Sequence, residues 1–143
     1  MPRPNEAAFL RSVLHDNESA ATFCEALFRI SQTLDDLIDK DTGVSDAAVI
    51  QAFWEALIEL PANPFYRQHE PYLRPLMASV LQDWRDSACL ERSDSHHHRT
   101  LAFVLRDQLA ALVTQCAYLV GGYAWMNKVS LPIRQHIHED TLD

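Results

Sequence analysis

The residues of this chain best suited to chemistry are oxygen-bearing side chains at two places. Asp35, Asp36 and Asp39 crowd the segment Leu34–Lys40, and Asp83, Ser87 and Glu91 recur at four-residue intervals further along. Clustered hard oxygen ligands of this kind suit magnesium. The first cluster ends a stretch patterned as an amphipathic helix, where the C-terminal dipole disfavours each negative charge by about 0.3–1 kcal/mol. A cation or a basic side chain close by would offset that cost. Lys40, Arg92 and Arg99 lie near the two clusters in sequence.

Rotating each position by about 100° separates these carboxylates by face. Asp36 falls on the polar side with Glu25, Arg29 and Lys40, which predicts i,i+4 pairs Glu25–Arg29 and Asp36–Lys40. Asp35 and Asp39 instead extend a strip containing Ala21, Cys24 and Phe28. Ser87 and Glu91 share the side of Val80 and Trp84, while Asp86 points away. Asp35, Asp39 and Glu91 are therefore expected to be less accessible than Asp36 and Asp86. Of the histidines 96–98, only His98 aligns with Leu101 and Leu105, facing inward; the others form a solvated helix start.

The elements that must position these groups are helices. Asn5 and Asn17 precede segments predicted as helices over Glu6–His15 and Glu18–Lys40, the second with the stripe Phe23, Leu27, Ile30, Leu34 and Leu37 and ended by Thr42-Gly43. Ser45 caps a third, Asp46–Leu60, whose face Val49, Ile50, Phe53, Trp54, Leu57 and Leu60 is expected to be buried. Asn63-Pro64 starts a short turn, and Pro71 a fourth helix to about Arg92 with Leu73, Leu76, Met77, Val80, Leu81 and Trp84 inside. A fifth helix runs from His96 to about Val120, Gly121-Gly122 bends or ends it, and Pro132 begins a short last one. The expected fold is all-α: one domain, residues 1–143, a bundle of five main helices plus a short terminal helix. In an up-down bundle the ends of helices two and four meet the start of helix five, so the two acidic clusters would converge there with His98.

Asp35-Asp36-Leu37-Ile38-Asp39 resembles the D-D-x-x-D motif of class I isoprenoid (terpenoid) synthases, and Asp83, Ser87 and Glu91 resemble their second motif, N/D-x-x-x-S/T-x-x-x-E. The resemblance implies an all-helical fold in which the two motifs face each other across a cavity and hold magnesium ions that bind and ionise an allylic diphosphate. Asp35, Asp39, Asp83, Ser87 and Glu91 would then be the metal ligands, Lys40, Arg92 and Arg99 could hold the diphosphate through charge-assisted hydrogen bonds, and Trp54, Trp84, Phe28 and Phe53 could line a cavity for a prenyl chain. Several helices separate the motifs in that family, whereas one long helix and a short turn do here. All-helical nucleotide pyrophosphohydrolases, which also gather magnesium with paired acidic motifs, are a fainter resemblance through Asp36-x-x-Asp39 and Asp83-x-x-Asp86.

The bulk properties exclude other classes. With 143 residues, 48% hydrophobic and 22% charged, the chain can bury a core without staples. A net charge of −8 with twelve scattered Lys and Arg residues is the wrong balance for holding nucleic acid. Cys24, Cys89 and Cys116 are far apart and form no C-x-x-C pair, so buried free thiols in the reducing cytoplasm are expected. No signal-peptide core opens the chain, and the apolar run Leu101–Val120 is broken by Arg106, Asp107, Gln108, Thr114 and Gln115, which argues against a membrane span. The alternative to a magnesium and diphosphate site is a non-enzymatic helical protein that acts by association with a partner or with itself. Phe65-Tyr66, Tyr72 and Trp125-Met126 are the candidate contact patch, including for a homodimer.

Overall fold

The computed structural model describes residues 5–40 and 43–138. It is 85% helical, with no strand among the described residues, which places the fold in the all-α class. Seven helical segments follow one another: α1 (Glu6–Val13), α2 (Glu18–Ile38), α3 (Asp46–Trp54), α4 (Leu60–Ala62), α5 (Pro64–Leu90), α6 (His96–Leu105) and α7 (Leu109–Ile137), with a π-helical turn, Glu55–Glu59, joining α3 to α4. They group into two compact units, one up to Glu70 and one from Pro71 onward.

Local chemistry sets the helix starts. Asn17, Ser45 and Ser95 each accept a backbone N–H three residues on, from Ala20, Ala48 and His98, and so satisfy a donor that the first turn leaves open. Asn63 does the same for Tyr66, and its side-chain amide also donates to the Ser19 carbonyl at 2.9 Å, fastening the start of α5 to α2. Asn5 stands before α1 in a left-handed conformation and makes no side-chain cap. Lys40 ends α2 in the left-handed region (φ 59), its N–H returning to the Leu37 carbonyl at 3.1 Å. The expected stop at Thr42-Gly43 lies partly outside the described residues.

In the first unit Leu10, Val13, Leu14, Ala20, Ala21, Phe23, Cys24, Leu60 and Phe65 are buried. Phe23 stacks on Tyr66 with ring centroids 5.7 Å apart and meets Phe65 at 6.1 Å. Phe65 and Tyr66 are thus packed with Phe23 rather than forming the contact patch expected of them. Arg11 of α1 clasps α2: its guanidinium donates to Glu18 at 2.6 and 3.0 Å and to Glu25 at 3.2 Å. These bonds favour the charged forms, raising Arg11 above its usual range and lowering the Glu18 carboxyl.

In the second unit Leu73, Ser87, Ala102, Leu112, Val113, Cys116, Ala117, Val129, Ile133 and Ile137 are buried. Tyr72 donates to Gln115 at 2.5 Å and stacks on Tyr118, tying α5 to α7. The fifth predicted helix is interrupted at 106–108, where α6 ends and α7 begins. Within it the Arg106 guanidinium lies over the Phe103 ring, and Asp107 lies 3.9 Å from His138. Gly122 kinks α7 at φ 85 and ψ −179, a conformation essentially reserved for glycine. The stretch His96–Ile137 has the length and composition to cross a membrane, with a mean hydropathy of 1.3 in its most apolar window, though it contains both of these interruptions.

Candidate functional site

The two acidic motifs fall in different units: Asp35, Asp39 and Lys40 in the first, Asp83, Ser87, Glu91, Arg92 and Arg99 in the second. Asp35 and Asp83 are half-buried, but Asp39 and Glu91 are exposed, and Asp36 and Asp86 are half-buried. The expected order of accessibility is therefore reversed at Asp39 and Glu91. Both still close a helical turn, the Asp39 N–H donating to the Asp35 carbonyl and the Glu91 N–H to the Ser87 carbonyl at 2.9 Å each, so the helical rotation still applies and it is the inward direction assigned to their faces that the structure corrects. Among the described residues no group of three or more His, Cys, Asp or Glu side chains is placed to share a metal ion.

The other members of the motifs have structural partners. Ser87 is buried and its hydroxyl donates to the Trp84 carbonyl at 2.7 Å. Arg92 donates to the Ala88 carbonyl at 3.0 Å and Arg99 to the Ser93 carbonyl at 2.9 Å, so both satisfy backbone acceptors where α5 gives way to α6. His98 is exposed, not inward; its ring lies 3.2 Å from the Ser93 hydroxyl. Asp36 accepts from Gln32 at 3.0 Å.

The pair expected between Glu25 and Arg29 is replaced by two longer-range ones. Glu25 is taken by Arg11, and Arg29 reaches the π-helical turn after α3, where its Nε lies 3.1 and 3.3 Å from the two oxygens of Glu55. Glu55 is buried, with its side chain 7% exposed. A carboxylate in that position must be paired or pay heavily in lost hydration.

This pair accompanies the largest departure from expectation. Most of the face expected to be buried along α3 and the π-helical turn is turned outward: Ile50 is 68% exposed, Phe53 63%, Trp54 56% and Leu57 67%, with the neighbouring Ile58 at 50%, whereas Leu60 is buried as expected and Val49 half-buried. The opposite side carries Ala48, Ala52 and Ala56 at four-residue intervals, all half-buried, and this rod packs on α2. Small side chains let two helix backbones approach closely, and Glu55 reaches Arg29 only with that side inward. Phe53 and Trp54 are accordingly surface residues, not the lining of an interior cavity.

No family model matches the chain, and neither the curated proteins nor the solved structures contain a match to it. The outward face of α3 is the feature that sequence reasoning missed. Its signal was the pair of carboxylates Glu55 and Glu59 inside an apolar run, of which the one turned inward needs a basic partner on a neighbouring helix.

Proposed function

We propose that this protein is a non-enzymatic helical module that works by association, and that the outward face of α3 is its contact surface. One observation carries the reading: five large apolar side chains, Ile50, Phe53 and Trp54 on α3 and Leu57 and Ile58 on the π-helical turn that continues it, are exposed to water. Isolated exposed apolar residues are ordinary, whereas a contiguous patch of several hundred Å² marks a site of interaction. The π-helical turn beneath it supports the same reading, since such turns concentrate at functional positions.

The test is the contribution of this face to stability. In submicromolar protein unfolded by urea, Ile50→Gln and Leu57→Gln should each change stability by no more than about 0.5 kcal/mol, as surface substitutions do. A loss of about 2–5 kcal/mol, the range for a packed Leu or Ile, would place the face inside the fold and end this reading. The competing reading, with Asp35, Asp39, Asp83, Ser87 and Glu91 as magnesium ligands, separates in the same assay. Magnesium with inorganic pyrophosphate should leave the melting temperature unchanged; at a hundredfold its dissociation constant, a bound cation would add about 2.7 kcal/mol.

A further inference from the structure

Building on the reading of α3 as an association surface, we propose that the occupant of this face is a second copy of the same chain. Its size fits. Ile50, Phe53, Trp54, Leu57 and Ile58 together leave on the order of 600 Å² of side chain in water, against about 800 Å² per partner in a specific interface and 300–600 Å² for the largest patch on a typical monomer. Ala47 and Gln51 of α3 and Pro61 of α4 are also exposed and would supply the remainder.

Its composition fits as well. No charged side chain lies among the five, so the face has no need of a complementary charge and is matched by an identical apolar face. A two-fold axis requires the same surface on both partners. Trp54 is midway between Ile50 and Ile58, so an antiparallel pairing about Trp54 sets Ile50 of one copy against Ile58 of the other and Trp54 against its counterpart. Two considerations weigh against other occupants. An anionic membrane surface would be repelled by a chain of net charge −8, and the charged residues of the rod, Asp46, Glu55 and Glu59, include no Lys or Arg to anchor it there.

Repulsion between two copies of charge −8 also opposes the dimer, and salt screens it. The dimer should therefore tighten severalfold between low and physiological salt, the opposite of an interface held by ion pairs.

Sedimentation velocity of the full chain over a range of about 1–300 µM, with reducing agent present, decides the matter. A concentration-dependent dimer is expected for the wild type. Leu57→Lys should raise its dissociation constant at least a hundredfold, with an unchanged circular dichroism spectrum, and Ile50→Gln should raise it about tenfold. A wild type that stays monomeric throughout overturns the second-copy proposal; if Ile50→Gln and Leu57→Gln are also neutral for stability, the face remains an association surface for a different protein or a lipid surface. A dimer indifferent to both Leu57→Lys and Ile50→Gln uses another surface, and overturns the proposal equally.

Discussion

Replacing Phe23 by alanine is expected to cost about 3–5 kcal/mol, the range for deleting a buried aromatic ring from a packed core. Phe23 has no solvent exposure and stands between Tyr66 and Phe65, so the cavity would open where α2 meets the start of α5. The melting temperature should fall by at least about 10 °C, since the loss is a large fraction of a total stability of about 5–15 kcal/mol. Phe23→Leu keeps most of the volume and should cost about 1–2 kcal/mol. Urea titration followed by circular dichroism measures both. Equal, small losses in the two variants would mean that the ring packing contributes little.

Arg29→Met should be the next most damaging change, at about 2–4 kcal/mol. Removing one partner of a buried pair leaves the other charge uncompensated, at about 3–5 kcal/mol when both are buried; the value is lower here because the Arg29 side chain is 56% exposed while Glu55 is 7%. The double variant Arg29→Met with Glu55→Leu should recover most of the loss, because an apolar pair carries no desolvation penalty. Thermal melts of the wild type, the single and the double variant read this directly. If Arg29→Met is neutral, the ion pair is no more than a surface contact and does not hold the orientation of α3.

The helices were legible in the sequence because their starts are local chemistry. Asn17, Ser45, Asn63 and Ser95 each precede a periodic stretch, and a short polar side chain bonding two or three residues ahead depends on nothing distant. The orientation of α3 was not legible. Periodicity shows that Ile50, Phe53, Trp54 and Leu57 share a face, but the direction of that face is a tertiary matter settled by Ala48, Ala52, Ala56 and the reach of Arg29 to Glu55. Arg29 also had a sequence-local alternative in Glu25, which Arg11 claimed from another helix. For the acidic motifs the face assignment failed inside the helices as well as at their ends: Asp36 and Asp86 are as half-buried as Asp35 and Asp83, His98 is exposed, and so are Asp39 and Glu91, because periodicity groups residues by face without saying which face a neighbour covers.

The cysteines, all three expected to be buried, divide instead in a way that makes them reporters. Cys89 is exposed, while Cys24 and Cys116 are buried, one in each unit. A water-soluble thiol reagent thus meets a single reactive sulfur on the native chain, and any further modification requires a helix to come away from its neighbours. Because Cys24 and Cys116 report different halves of the sequence, peptide mapping of the labelled chain distinguishes opening of the first unit from opening of the second, and yields a local free energy for each without any mutation.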